Sequence, residues 1–471
     1  ELHARVGAAL EELVADRIGE YQAILGAHFL RGEVWDKAAA YYREAGDAAA
    51  RLHAYAEASA HYANALVALG SLPPNDEIRR QMVDLTLSLM EVSWGAQDPG
   101  SHLARLAEAE TTARSLLDSG DGTGPDRARL ARVQYWIGRI HYYRDEPREA
   151  IGYFQQVLSV AQELRDERLL AIPLAVMGRA LVVQGHFDRA TPVLAQALGP
   201  LEKTEEWLDW AFSKAYHGVA VSAAGFPADG LAETREAVTR AREMENPMLL
   251  AGCLIVLAFQ GCLTRDATAF AEAARGASEA GRQAGNSLMI SVGLGWEAWA
   301  LSRLGRHDEA EARMAEAIAE ADKIGGRIVA ADWVAAAGAE LALNAGHPEV
   351  ALARVTPAIE KARAIGGIYG EAVAQRIWGQ ALAMTQPTAA EEVDLHLARA
   401  LELFLEGGCK LEAAHTHAAW GALLGERGEV TLAADHLAHA AELFTQAGLG
   451  DLAQRAAADG LAVGKEAHAK A

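Results

Sequence analysis

Small and apolar residues recur every 40 residues along the stretch from residue 126 to residue 366. One set of small residues occupies the same position in successive units: Gly138, Gly178, Gly218, Ala258, Ala298 and Gly338. A second set follows each member of the first by 12 residues: Ala150, Ala190, Gly230, Phe270, Ala310 and Val350. A fixed period of this size is typical of a solenoid, in which each unit packs only on its neighbours. Because no stretch alternates with period two, the pattern predicts an all-α array of helical hairpins.

The first part of the chain shows a shorter repeat of 20 residues, in which Gly26, Ala38, Tyr42 and Ala45 return as Gly46, Ala58, Tyr62 and Ala65. Apolar spacing predicts helices over residues 1–14, 18–31, 35–52, 55–69, 78–94 and 102–117. A glycine-rich run then indicates a flexible linker. We therefore predict N-terminal helical repeats at 1–118, the linker at 119–125, a regular array at 126–447, and a capping helix and tail at 448–471. The chain starts with Glu1 in helical pattern, so we expect it to be part of a longer polypeptide with another domain upstream.

Composition narrows the classes of partner. Lys plus Arg number 43 against 64 Asp plus Glu, which gives a net charge of -21. Such a surface repels phosphate backbones and anionic lipid, so we expect no nucleic-acid and no membrane partner. The three cysteines, Cys253, Cys262 and Cys409, form no paired framework, and we expect free thiols in a reducing, cytoplasmic compartment. The longest apolar run, residues 253–259, is far too short to span a bilayer.

The spacing inside each unit resembles the tetratricopeptide repeat. In that motif a small residue is followed by alanine 12 residues on, then by a large apolar residue and another small one. Three such sets are Gly138, Ala150, Phe154 and Val157; Gly178, Ala190, Leu194 and Ala197; and Gly421, Ala433, Leu437 and Ala440. The resemblance implies a right-handed α-solenoid, and the period of about 40 residues implies longer helices than the family's usual period of about 34.

A second resemblance covers residues 2–58, through Leu2-His3-Ala4-Arg5-Val6, Trp35-Asp36-Lys37-Ala38 and Tyr41-Tyr42-Arg43-Glu44-Ala45. These segments are similar to bacterial signalling ATPases of the STAND/AAA type, which are often fused to class III adenylate or guanylate cyclase domains or to transcription-activator domains. In those proteins the passage opens the C-terminal helical sensor region. The chain contains neither a phosphate loop nor cyclase metal carboxylates, so the resemblance implies a sensor region without the catalytic part.

The tetratricopeptide resemblance also implies that the first helix of each hairpin lines a concave groove. The candidate binding residues on these helices are Tyr135, Arg139, Tyr142, Arg179, Phe212, Tyr216, Phe259 and Trp299. Arg139 and Arg179 occupy the same position in adjacent units, where they could pair with a carboxylate or phosphate. The alternative is that the aromatic residues form the core between helices. The sequence leaves both possibilities open.

Metal and catalytic sites have little support. His436 and His439 share a helix face, but His415 and His417 at i, i+2 point to different faces, and no zinc-type spacing is present. Ser213 and His217 share a face, but the sequence indicates no acid to orient the histidine. We therefore expect no metal, no cofactor and no enzyme activity. The predicted function is a sensor or interaction module of a bacterial signalling ATPase or cyclase-type regulator. It would bind a protein segment, a peptide or a small-molecule effector in the groove, and the sequence leaves open whether it forms a homo-oligomer. A structural scaffold without ligand switching is the alternative.

Overall fold

The computed structural model describes residues 1–93, 99–118, 124–144, 146–326 and 328–470. The described residues form α-helices and one short 3-10 helix, and none of them forms a strand. This confirms the all-α prediction; the handedness and the 40-residue period of the solenoid stay predictions. The chain divides into two compact units. The first contains Glu1–Pro173 and Ala284–Asn286, and the second contains Leu174–Gln283 and Ser287–Ala471.

The first unit is built from consecutive helices that pack against each other in chain order. A 3-10 helix at Ala15–Arg17 follows the first of them. The helices are α1 Leu2–Leu13, α2 Ile18–Arg31, α3 Trp35–Arg51, α4 Tyr55–Gly70, α5 Asp76–Ser93, α6 Pro99–Asp118, α7 Gly124–Tyr143 and α8 Pro147–Leu164. The division into units falls inside α9, Glu167–Gln184.

The second unit continues the hairpins. Its helices after α9 are α10 Phe187–Lys203, α11 Trp207–Ala223, α12 Pro227–Glu243, α13 Pro247–Thr264, α14 Ala267–Gln283, α15 Ser287–Arg303, α16 His307–Asp322, α17 Ala331–Asn344, α18 Pro348–Ile365, α19 Ile368–Thr385, α20 Ala390–Glu406, α21 Lys410–Glu426, α22 Val430–Gln446 and α23 Gly450–Lys470. The odd-numbered helices from α11 to α23 contact one another in sequence as well as their even-numbered neighbours. They therefore form an inner layer, with the even-numbered helices outside it.

The small-residue positions are explained by close helix packing. A Cβ atom at Gly138 would lie 2.9 Å from the Phe154 ring, and one at Gly421 would lie 2.7 Å from Leu437 Cγ. A larger residue at these positions would force the two helices of a hairpin apart. At these two positions the second helix of the hairpin presses an apolar side chain onto the backbone of the first. A Cβ atom at Gly218 would instead meet the Gly230 carbonyl oxygen at 2.4 Å, and one at Gly338 would meet nothing within 4 Å.

Several predicted boundaries shift. Helix α5 begins at Asp76, two residues before its predicted start, and α6 begins at Pro99 rather than 102. Helix α23 continues to Lys470, through residues that belong to the predicted tail. Residues 119–123 of the predicted linker lie outside the described residues, and Gly124 begins α7. The domain division at 119–125 therefore stays a prediction.

Helix α13 carries few polar residues on any face. Among the described residues it is the one helix long and apolar enough to cross a membrane, and 72% of the relevant window is buried inside the fold. The core helix of a helical array has the same composition. No membrane span is implied.

Candidate functional site

The first three candidate residues lie on α7 in the first unit, and the structure buries them. Arg139 is 4% exposed, and its guanidinium lies 4.9 Å from the ring centre of Trp136. Its Nη1 donates to Tyr135 Oη at 2.7 Å, and its Nε donates to Tyr143 Oη at 3.3 Å. Tyr142 is 7% exposed and packs on Tyr143, with 5.1 Å between ring centres. The structure therefore places these side chains in the core, which is one of the two possibilities that the sequence left open, and their role in binding stays a prediction.

Arg179 begins the candidate set in the second unit and is also 4% exposed. Its Nη2 donates to Asp209 Oδ1 at 2.8 Å, and its guanidinium lies 5.5 Å from the ring centre of Phe212. Asp209 on α11 thus supplies the carboxylate that we expected from a ligand. Tyr216, on the same helix, is half-buried. Arg139 and Arg179 belong to different units, so their spacing stays a prediction.

Phe259 and Trp299 form part of an aromatic interior. Phe259 is 3% exposed, and its ring centre lies 4.7 Å from Trp333 and 5.3 Å from Tyr369. Trp299 is fully buried and stacks on Trp296 at 5.3 Å. These two candidates are therefore core residues of the second unit. We define its aromatic layer as Phe187, Phe259, Trp296, Trp333 and Tyr369, which come from α10, α13, α15, α17 and α19.

A buried carboxylate lies beside the aromatic layer. Glu412 on α21 is 0% exposed. It accepts two hydrogen bonds from Arg265, at 2.8 and 2.9 Å, and one from Arg376 Nη1 at 2.5 Å. Tyr369 Oη lies 3.5 Å from the same carboxylate. Because Arg265 and Glu412 are 147 residues apart, this contact joins α21 to the end of α13.

A second ion pair completes this charged region. Arg303 Nε donates to Glu340 Oε1 at 2.7 Å, and its Nη2 donates to Oε2 at 3.2 Å. Arg303 also lies over the Trp299 ring at 4.8 Å and donates to the Cys262 carbonyl at 3.2 Å. We define the charged layer as Arg265, Arg303, Glu340, Arg376 and Glu412. It holds one more cation than anion, in a chain whose net charge is -21.

Both carboxylates of the charged layer are ionised at neutral pH. Burial alone would raise the pKa of Glu412, but Arg265 and Arg376 hold it well below its usual value. Burial likewise opposes ionisation of Glu340, and Arg303 outweighs it and lowers the pKa of Glu340 to about 2. The layer is therefore a set of permanent charges rather than of shared protons.

Backbone contacts beside these two layers join parts of the second unit that are far apart in sequence. The Phe187 amide donates to the Gly407 carbonyl at 2.8 Å, which joins the start of α10 to the turn before α21. A Cβ atom at Gly407 would lie 2.1 Å from the Gly185 carbonyl oxygen, so only glycine allows this approach. Helix α21 also contacts α11 and α13 directly. The second unit therefore returns on itself, and its two layers fill the space between.

Arg265, Arg376 and Glu412 were not among the candidate residues predicted from the sequence. Their partners are fixed by the closure of the unit, whereas a repeat pattern specifies only adjacent helices. One signal was present: Glu412 stands among Leu411, Ala413 and Ala414 at the start of an inner helix. An ionisable residue in such a run indicates either a buried partner or a site.

The other nucleophilic, acid–base and metal-binding side chains among the described residues do not form a reactive site. Glu233 Oε2 lies 2.5 Å from His217 Nδ1, so the structure supplies an acid that the sequence did not indicate. Ser213 Oγ, however, is buried and makes no hydrogen bond to any residue that the structure describes, so the pair lacks the contact that a base needs to activate a nucleophile. Within the described ranges no group of three or more His, Cys, Asp or Glu side chains is arranged to hold a metal ion. The three cysteines are free and buried, and burial raises the pKa of Cys253 to about 12.

Comparison with known proteins identifies the fold. No protein-family model and no curated protein sequence matches this chain. A Rap protein complexed with Competence and Sporulation Factor has a TM-score of 0.59 at 12% identity, covering 78% of this chain and 99% of that one. The Cut9–Hcn1 hetero-tetramer of APC/C has a TM-score of 0.50 at 13% identity, covering 96% and 87%. The chain has a tetratricopeptide-like helical repeat fold.

A signal transduction ATPase with numerous domains from Pyrococcus horikoshii, which carries a tetratricopeptide repeat sensor, is also similar. Its TM-score is 0.39 at 12% identity, and the match covers 70% of this chain and 52% of that one. That score is too low to bear on function.

Proposed function

We propose that this chain is a binding module that takes up a protein segment or peptide, and that the interior of its second unit opens and closes in response. Two similar folds support a role in binding, since one is complexed with Competence and Sporulation Factor and the other belongs to a hetero-tetramer. The resemblance of residues 2–58 extends the proposal to the sensor region of a bacterial, cytoplasmic signalling ATPase or cyclase-type regulator. Small-molecule effectors and homo-oligomers stay predictions.

The observation that carries the proposal is the burial of Glu412 between Arg265 and Arg376. Removing three charges from water costs free energy that their mutual attraction only partly recovers, and apolar replacements of such groups are often as stable. Stability alone therefore does not favour a charged closure. Charged side chains regain favourable hydration when an interior opens, whereas aromatic side chains become exposed to water at a cost in free energy. This favours a unit that switches over a static scaffold.

The charges of this layer indicate which kind of ligand would enter the interior of the second unit. Opening the contact exposes the guanidinium groups of Arg265 and Arg376, which pair with carboxylates in bidentate geometry. Once Glu412 has moved away, the charged layer holds three arginines and one glutamate, so a carboxylate from a ligand could pair with the freed guanidinium groups. We therefore propose an acidic peptide segment, with a side-chain or terminal carboxylate in the place of Glu412.

The test is Glu412→Gln, which keeps the size of the side chain and removes its charge. Glu402→Gln is the matched control, because Glu402 lies on the neighbouring helix and its side chain is 65% exposed. We expect faster hydrogen exchange at the Phe187 amide in the first variant only. We also expect acidic peptides selected from a displayed library to bind it about tenfold more tightly than the wild type, a difference of about 1.4 kcal/mol.

If the chain is a scaffold that does not switch, the Glu412→Gln experiment should give a different result. If exchange at Phe187 accelerates but no acidic peptide binds either protein, the charged layer is structural and the chain is a scaffold. If exchange is unchanged, the contact does not hold the unit closed. Circular dichroism would show that each variant remains helical.

A further inference from the structure

A pocket of about 310 Å³ lies between α14, α15 and α16 of the second unit. It is separate from both interior layers, and none of their residues lines it. Ala271, Leu301 and Leu304 provide an apolar wall, and Leu304 is 40% exposed, so the pocket opens to solvent. The volume is at the lower end of the range for small-molecule sites, about 300–1,000 Å³. Its size suits a small metabolite rather than a protein segment.

Glu297 is a lining residue of this pocket and is only 9% exposed. Among the described residues none donates a hydrogen bond to its carboxylate, and the nearest cation is Arg313 Nε at 3.7 Å. Arg313 is itself bound to Glu316 through two contacts of 2.9 and 2.8 Å. A buried carboxylate without donors is unfavourable, and an ammonium group entering the pocket would supply up to three. The pocket therefore presents a site for an amine.

Arg275 supplies a positive charge that complements the negative charge of Glu297 in this pocket. Arg306, on the same pocket, is held by Glu309 at 2.7 and 2.6 Å. Arg275 has no ion pair with any residue that the structure describes, and its side chain is exposed at the rim. An unpaired guanidinium binds a carboxylate in bidentate geometry. One pocket thus offers an anion for a ligand's cation and a cation for its anion.

We propose that this pocket binds a free α-amino acid with an apolar side chain. The ammonium would pair with Glu297, the carboxylate with Arg275, and the side chain would pack on Leu301 and Leu304. The three contacts match the three parts of such a molecule. Burial also raises the pKa of Glu297, with a further contribution from Glu316 and against the opposing effects of Arg313, Arg275 and Arg282. Binding would therefore become stronger as the pH rises above the pKa of that carboxyl.

Isothermal titration calorimetry with three related probes tests the proposal. L-leucine has both charges, leucinamide lacks the carboxylate, and 4-methylpentanoate lacks the amine. We expect L-leucine to bind and each of the other two to bind at least about tenfold more weakly, because each loses one charged contact. Glu297→Gln and Arg275→Ala should each weaken L-leucine binding by a similar factor. Arg235→Ala, which changes an exposed arginine of α12 outside the pocket, should leave it unchanged.

Three results would overturn the proposal. They are no heat of binding at about 10 mM L-leucine, equal binding of L-leucine and leucinamide, and unchanged binding to Glu297→Gln. A large drop in melting temperature for Glu297→Gln would make this residue a structural partner of Arg313. In that case the exposed Arg275→Ala variant and the comparison of the three probes still decide the question. None of these measurements depends on acidic peptides, so the result is independent of the function proposed above.

Discussion

The aromatic layer of the second unit and the Glu412 carboxylate of its charged layer are buried to a similar extent but are stabilised by different interactions. Trp333 is 4% exposed and Glu412 is 0% exposed. Trp333 touches Phe259 and Tyr369 with ring centres 4.7 and 4.3 Å away, and these contacts stabilise the fold because water is excluded from apolar surface. Glu412 is held by directed hydrogen bonds that replace the hydration it has lost.

The difference assigns separate roles to the two layers. Aromatic packing favours the closed unit under all solution conditions that leave the hydrophobic effect intact. The charged contacts are worth little relative to an apolar interior, but they depend on geometry and ionisation, and a competing charge can displace them. Tyr369 belongs to the aromatic layer and reaches the Glu412 carboxylate with its hydroxyl, so the two layers meet at this residue.

The largest expected effect comes from the aromatic layer. Trp333→Ala should lower the free energy of unfolding by about 3–5 kcal/mol, because it removes a buried side chain and leaves a cavity. Unfolding in guanidinium chloride, followed by circular dichroism, measures this. Phe226→Ala is the control, since Phe226 is 57% exposed and its removal should change stability by no more than about 0.5 kcal/mol. Equal effects of the two changes would show that the aromatic layer is not the stabilising core.

A smaller effect should follow from acid. The pKa of Glu340 falls from its usual 4.5 to about 2 in the folded chain, so its contribution to stability is complete above about pH 4.5. That contribution is lost as the pH falls from 4.5 towards 2. It amounts to at most about 3 kcal/mol, at about 1.4 kcal/mol per pKa unit, and its partial exposure reduces the figure.

Urea unfolding at intervals of pH between about 6 and 3 separates this contribution from general acid unfolding. The comparison is with Arg303→Met combined with Glu340→Leu, which removes the pair. We expect the double variant to lose less stability over the acidic range. A parallel loss in both proteins would mean that Glu340 does not gain from Arg303.

Contacts between adjacent helices could be predicted from the sequence. Gly138 opposes Phe154, and Gly421 opposes Leu437, as the repeat required. These pairs belong to one hairpin, so the spacing of residues along the chain determines them. The same holds for the all-α fold, because helical periodicity and short turns are local properties.

The interior could not be predicted in the same way. Whether Phe259 lines an open groove or a core depends on how tightly the unit closes, and an apolar pattern on the inner helices is compatible with either. Arg179 was expected to pair with a ligand, but it pairs with Asp209 instead. The turn between α10 and α11 places Asp209 beside Arg179. Arg265 and Glu412 are separated by several hairpins, so no repeat spacing relates them.

The last variant is expected to change stability least, and it distinguishes the roles of the two layers most clearly. Replacing Arg265 and Arg376 by Met and Glu412 by Leu removes the charged contact and keeps much of its volume. Because buried ion triads can be exchanged for apolar side chains at no loss, we expect the free energy of unfolding to stay the same or to rise by about 1 kcal/mol. Exchange at the Phe187 amide should become slower, and acidic peptides should no longer bind.

This triple variant distinguishes a switch from a scaffold because its stability and its binding should change in opposite directions. The exposed pair of Arg399 and Glu402, changed to Met and Leu, is the control for added apolar side chains, and it should leave both exchange and binding as they are. A loss of several kcal/mol in the triple variant would mean that the charged layer stabilises the unit as the aromatic layer does. The contrast between the layers would then disappear, and with it the reason to expect that an acidic segment can open the interior.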